Sequence, residues 1–475
     1  MQKLFCVLVA AVLSIIAFAQ ESEVRAQESE NATVLTLDDA LKIALSENVA
    51  VKVADREIER TAYAKRGTYA SLFPQVDGSA SYQRTIKKQV MYMDFDMGEL
   101  MGGEGAGDAG IAEQMPDMAA PSSNEGFEVG RWNTFMAGVS ASMPLVNAQL
   151  WQSLKIAGQD VELAVEKARG SRLDMVTQVK QAFFSVLLAK EAFNVYKEVY
   201  ENALDNFSQT EKRFNAQKAS ELEYTRAKST VQNAIPDVYN AESSILLALW
   251  QLKAVMGIDL EENIDVAGAL GDYSGQMFYD IHSHDGETLE GNSSLRQLAI
   301  QAEELSNTIK LQKYASLPSL ALAGSYTVNA MTNDFKFSEY RWSPYSYVGL
   351  SLNIPIFAGG KRHSQVRQAQ IQYDELLMQR ENTERQLAIA MRQYLTQMET
   401  NMKTFHSAES AVETASKAYS IAAKSYNVGR STITELNDAQ LALTQSRLGV
   451  SQAIYNFLLA KANLEQTLGY DFTNE

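Results

Sequence analysis

The sequence predicts a mainly α-helical chain that also carries two β-hairpins, on three observations. The two halves of the chain repeat each other, long stretches carry apolar residues at 3-4 spacing with few turn residues, and four short segments alternate with period two. Only eight prolines occur in 475 residues, which leaves room for helices longer than a compact globule uses. Each half reads as a helix, a β-hairpin and a long helical hairpin.

Residues 1–19 have the form of a signal peptide: Lys3, then the apolar stretch Leu4 to Phe18, then an Ala17-Phe18-Ala19 cleavage pattern. That stretch falls short of the ~20 residues of a spanning helix. The single cysteine, Cys6, lies within it, so the mature chain is expected to lack disulfides, thiolate metal sites and a lipidated cysteine. No later segment forms an apolar run long enough for a membrane helix, so an embedded part must be embedded as strands.

The first repeat is assigned to 20–257, with strands at about 75–91 and 131–146 and long helices at about 148–214 and 220–256. The second is assigned to 258–475, with strands at about 319–329 and 342–356 and helices at about 361–426 and 432–467. Ala70-Ser71-Leu72-Phe73-Pro74 is echoed by Ala315-Ser316-Leu317-Pro318, Phe214-Asn215-Ala216 by Tyr426-Asn427-Val428, and Met256-Gly257 by Leu468-Gly469. In the strands Val76, Gly78, Ala80 and Tyr82 alternate with Asp77, Ser79, Ser81 and Gln83. Val348, Leu350, Leu352 and Ile354 alternate with Tyr347, Gly349, Ser351 and Asn353.

The helices show coiled-coil seams, Phe193, Tyr196, Tyr200, Ala203, Phe207, Thr210, Phe214 in one half and Phe405, Ala408, Val412, Ala415, Tyr419, Ala422, Tyr426 in the other. At about 1.5 Å per residue, such helices approach ~100 Å. Pro236 predicts a kink or break in the returning helix of the first half.

Four strands cannot close a barrel, and an open edge in lipid leaves backbone groups unsatisfied at several kcal/mol each. Membrane barrels have about eight strands or more, so a dimer and a trimer both satisfy the requirement.

Ile354-Pro355-Ile356-Phe357-Ala358-Gly359-Gly360 resembles the strand-to-helix junction of TolC-like outer-membrane efflux proteins. Leu35-Thr36-Leu37-Asp38-Asp39-Ala40-Leu41-Lys42-Ile43-Ala44-Leu45 resembles that family's N-terminal signature, and Tyr426-Asn427-Val428-Gly429 its helix-hairpin turn. The resemblance spans nearly the whole mature chain. It implies a homotrimer in outer-membrane lipid, with a 12-stranded barrel, a 12-helix periplasmic tunnel and an equatorial belt from the chain ends and about Ile258 to Leu289. It also implies a passive duct that needs no cofactor, with a periplasmic adaptor (membrane fusion protein) and an inner-membrane transporter as partners.

Matched residue by residue, Glu435 and Asp438 take the places of the family's acidic rings at the periplasmic gate, and Glu223 the corresponding first-half place. Tyr426 matches a tyrosine of the closing network. The gate arginine's place is held by Ser431, with Arg430 one residue earlier, about 100° round a helix. Adaptor contacts fall on Asn427, Val428 and Gly429 and on Asn215, Ala216, Gln217 and Lys218. The first of these turns has a glycine and the second none, so the two contacts are expected to be inequivalent.

A formal charge of −16 argues against nucleic acid and favours cations in a conduit. Residues 91–130 hold nine Asp or Glu and no Lys or Arg, and the topology turns them outward as a polar loop. His282 and His284, with Asp280 and Asp285 nearby, fall short of a zinc set. Gly359-Gly360-Lys361 lacks the rest of a phosphate loop, and no hydrolase motif is present, so the energy for export must come from a partner. The competing reading is a periplasmic coiled-coil scaffold whose strands form a soluble sheet.

Overall fold

The computed structural model describes residues 33–91, 127–278 and 288–470. The leader 1–19, the loop residues 92–126 and His282, His284, Asp280 and Asp285 lie outside the described residues. In chain order the elements are β1 (Thr33–Leu35), α1 (Leu37–Glu47), α2 (Val49–Ala70), β2 (Gln75–Arg84), β3 (Gln89–Met91), β4 (Phe127–Val129), β5 (Asn133–Val146), α3 (Ala148–Asn215) and α4 (Glu221–Met256). There follow β6 (Ile264–Val266), a 3-10 segment Leu270–Phe278, α5 (Ser293–Tyr314), β7 (Ser319–Thr332), β8 (Ser343–Asn353), α6 (Lys361–Asn427) and α7 (Ile433–Leu468).

The chain divides into two compact units. One, Lys65–Lys155 with Thr308–Arg367, holds an antiparallel sheet in the order β2-β5-β7-β8. The register places Val76 beside Ala141, Ala141 beside Gly324 and Gly324 beside Val348, so the apolar side chains of all four strands share one face. The opposite face carries Ser79, Gly138, Thr327 and Tyr345, again in register. Among the described residues this face is covered only at its loop end, where Ala330 is 2% exposed, while Val348 is 80% and Leu350 66% exposed. Both edge strands, β2 and β8, lack a second neighbour among the described residues.

The other unit takes the described residues of Met1–Ala64, Ile156–Asn307 and Gln368–Glu475. The N-terminal signature is a helix start in physical terms. Thr36 Oγ1 accepts from the Asp39 amide at 3.3 Å, and the Asp39 carboxylate accepts from the Thr36 amide at 3.2 Å, forming a capping box that opens α1. Ala40 and Ala44 of that helix then enter a core with Phe183, Leu187, Leu252, Met256, Phe457 and Leu464.

α3 and α6 run for 68 and 67 residues, about 100 Å each, and α4 and α7 for 36 each. α3 lies antiparallel to α7, as Lys180 to Glu465 (2.8 Å), Gln181 to Asn463 (3.1 Å) and Arg447 to Glu198 show. Every residue of the two seams is buried or half-buried. Of the kink or break expected at Pro236, the break does not occur: α4 continues through it as one helix.

The repeat extends to single side chains. Asn48 Oδ1 caps α2 through the Ala50 amide (2.7 Å), while its Nδ2 donates to the Val255 carbonyl at the end of α4 (2.7 Å). Asn292 does the same one half later, capping α5 through the Leu295 amide (3.1 Å) and donating to the Thr467 carbonyl (2.8 Å). Met256-Gly257 and Leu468-Gly469 are the helix ends these asparagines grip. Both glycines are left-handed, at φ 77° and 76°, and a Cβ on Gly469 would stand 2.1 Å from the Gly291 carbonyl oxygen.

Candidate gate at the hairpin tips

The two long hairpins end in turns of the same construction. In the first, the Gln217 amide donates to Phe214 O (2.9 Å) and the Lys218 amide to Arg213 O (2.7 Å). In the second, Gly429 donates to Tyr426 O (2.9 Å) and Arg430 to Ser425 O (2.8 Å). Both are Schellman ends, which require a left-handed residue at the turn. Gly429 supplies it at φ 74°, and Gln217, without a glycine's freedom, at φ 55°. The two turns therefore share one backbone state although only the second has a glycine, and they differ in their side chains. Asn215, Ala216, Gln217, Lys218, Asn427, Val428, Gly429 and Arg430 are all exposed.

Each turn leads into a capping box. Ser220 Oγ accepts from the Glu223 amide (3.2 Å) and Glu223 from the Ser220 amide (3.1 Å) at the start of α4. Thr432 and Glu435 repeat this at the start of α7, at 3.2 and 3.0 Å, and Ser431 Oγ also donates to Glu435. Those bonds, the one from Ser431 first and the Thr432 amide next, hold the Glu435 carboxyl below its ordinary range. Glu435 and Glu223 are thus turned back onto their own helix ends. Asp438, one turn further along α7, is exposed and makes no hydrogen bond or ion pair among the described residues.

Tyr426 is 1% exposed, packed with Ala227, Ile433 and Leu436. Its hydroxyl shares a 2.6 Å hydrogen bond with Thr210 Oγ1 of α3. Arg213 Nη1 donates to its carbonyl at 3.0 Å, and the guanidinium lies 5.2 Å from its ring centroid. Arg430 makes no ion pair among the described residues. The cation engaged with Tyr426 is thus Arg213, on the opposite hairpin. Sequence matching missed it because it compared one turn with one turn. Matching the capping boxes further pairs Arg226 with Asp438, and Arg226 Nη1 reaches Thr434 Oγ1 at 3.4 Å.

A profile of the outer membrane efflux protein family matches residues 40–258 and 286–470. The chain belongs to the outer membrane efflux protein family. It is 22% identical over 335 residues to the outer membrane protein TolC of Vibrio cholerae, covering 70% of this chain and 76% of that one. It is 23% identical over 310 residues to the cobalt-zinc-cadmium resistance protein CzcC of Cupriavidus metallidurans, covering 65% and 71%. The solved CmeC outer membrane channel of Campylobacter jejuni shares the fold at a TM-score of 0.67 and 18% identity, covering 92% of this chain and 87% of that one. This outer membrane efflux protein is a channel for efflux or secretion in the outer membrane, extending into the periplasm, and not an enzyme.

Proposed function

We propose that three copies assemble so that β2 of one sheet pairs with β8 of the next, closing a 12-stranded barrel above a 12-helix periplasmic tunnel. The observation that carries this is the bare sheet: both edges unpaired and an apolar face open to the surroundings, which only lipid and neighbouring copies satisfy. The apolar face meets lipid and the polar face lines the pore. A signal peptide at 1–19 directs export, and the two repeats divide near residue 257.

The chain does no chemistry on its cargo. An inner-membrane transporter supplies energy through a periplasmic adaptor, which docks on the exposed turns Asn215–Lys218 and Asn427–Gly429. Three copies of Asp438, with Glu435 behind them, set a negative potential at the tip that favours cations. Tyr426, held by Thr210 and Arg213, keeps the two hairpins of a protomer together when the tip is closed.

The test is single-channel conductance in a planar bilayer with the mass in detergent measured in parallel. A trimeric mass with small cation-selective openings is expected, and reduced selectivity when Glu435→Gln and Asp438→Asn are combined. A monomer that leaves membranes in carbonate and conducts nothing overturns the proposal in favour of a periplasmic scaffold.

A further inference from the structure

The strands of the sheet carry two charged residues, Asp77 and Arg84. The helical segments all join the sheet at one end, so the hairpin loops lie at the other. At that loop end stand Arg84, Lys87, Lys88, Arg131, Lys336 and Arg341, in a chain of net charge −16. Lys88 pairs with Glu128 (3.4 Å) and Lys336 with Glu339 (4.0 Å). Arg84, Lys87, Arg131 and Arg341 are exposed and have no ion-pair partner among the described residues.

Aromatic rings lie just beneath this collar. Tyr82 stacks on Phe135 (4.8 Å), and Phe335, Phe337 and Tyr340 gather on Phe135 at 5.3 to 6.3 Å. The knot is fixed by backbone: Asn133 Nδ2 and the Tyr340 hydroxyl both donate to the Asp334 carbonyl (3.3 and 2.8 Å), and the Trp132 amide donates to Asn333 Oδ1 (3.2 Å). Along one face of β2 the order is Val76, Gly78, Ala80, Tyr82, Arg84. Apolar, then aromatic, then cationic is the order a bilayer presents in reverse chemistry: acyl chain, interface, headgroup.

We infer that this collar binds phosphorylated lipid headgroups of the outer leaflet, with the aromatic knot seated at the acyl boundary. The inference rests on the barrel reading above and adds a lipid class to it. Three of the four unpaired cations are arginines, whose planar fork matches phosphate oxygens.

The experiment titrates the detergent-purified assembly with dodecyl maltoside micelles doped with diphosphoryl lipid A, and separately with phosphatidylcholine. Trp132 and Trp342 report as emission shifts once Trp151 and Trp250 are replaced by Phe. Saturable binding of lipid A is expected, weakened by salt and by about fivefold for each of R84Q, K87Q, R131Q and R341Q, and weakened less when the three arginines become lysine, which keeps the charge and loses the fork. Equal binding by the fourfold variant, or equal binding of phosphatidylcholine, overturns the inference. So does binding that appears only after removal of residues 92–126, which would assign the collar to the chain's own acidic segment. Conductance of the same preparation separates the two levels: a conducting wild type that ignores lipid A refutes the lipid inference alone, and a non-conducting one refutes the channel.

Discussion

Arg213 holds Tyr426 twice, donating to its carbonyl at 3.0 Å and lying 5.2 Å from the centroid of its ring. One side chain thereby ties the end of α3 to the end of α6 within a protomer. Arg213→Ala removes a charged donor and a cation–π contact, a loss of about 1–2 kcal/mol. The expected outcome in a planar bilayer is more frequent or larger openings. Arg213→Lys, which keeps the charge without the fork, is expected to fall between. Unchanged conductance in both variants would remove Arg213 from the closing network.

The hydroxyl pair of Tyr426 and Thr210, at 2.6 Å, is buried. Tyr426→Phe is expected to cost about 1 kcal/mol, the worth of one hydrogen bond, because the Thr210 hydroxyl keeps its donation to the Asn206 carbonyl (2.7 Å). Thr210→Val should cost a similar amount, and the double variant no more than about 1.5 kcal/mol if the two act as one contact. Unfolding of the purified assembly in denaturant measures all three; full additivity would show that the hydroxyls do not act on each other.

The two turns offer an internal control on backbone strain. Gln217 adopts φ 55° where Gly429 adopts φ 74°. Gln217→Gly is expected to stabilise the first hairpin by up to about 1 kcal/mol, and Gly429→Ala to destabilise the second by about 1 kcal/mol. A Cβ on Gly429 would meet only Arg213 Nη2 at 3.6 Å, an ordinary contact, so strain alone sets that cost. Melting temperatures moving in opposite directions check the pair; movement in the same direction would mean that something other than φ governs these turns.

The helical content was legible because α3 and α6 bury one stripe each, and a stripe leaves its period in the sequence, as Phe405, Ala415 and Tyr426 show. The strands were legible for the same reason, since Val76, Gly78, Ala80 and Tyr82 share a face. Pro236 does not sever α4, since a proline inside a helix removes one backbone hydrogen bond and leaves the other turns in place. The tip was read less well. Glu223 and Glu435 stood out as acids, but the Ser220 and Thr432 three residues earlier that engage them are a capping signal that was there to be read. Arg213 left no local signal, because its partner Tyr426 is 213 positions away.

The capping box at the start of α7 gives the tip a pH dependence of known sign. Glu435 has its carboxyl lowered by Ser431 and then Thr432, so its contribution is present above the ordinary carboxylate value and fades as pH falls through the lowered one. Ser220→Ala and Thr432→Ala are each expected to cost about 1 kcal/mol at neutral pH. The difference in melting temperature between wild type and Glu435→Ala should narrow on acidification; a gap independent of pH would mean that the carboxylate is not what the cap uses.

Glu304 behaves in the opposite sense. Burial raises its carboxyl first, and the charge of Asp160 raises it further, with Lys167 opposing. The folded protein therefore holds this proton more tightly than the unfolded chain, so the group favours folding less as pH rises through the window between the ordinary value and the raised one. Above the raised value the full penalty applies. Glu304→Gln is expected to stabilise the protein there by less than about 1 kcal/mol, since the group is only half-buried and solvent screens it. The gain should vanish below the ordinary carboxylate range, where wild type and variant are both neutral. A variant less stable than wild type at neutral pH would show that ionised Glu304 has a partner strong enough to outweigh its burial.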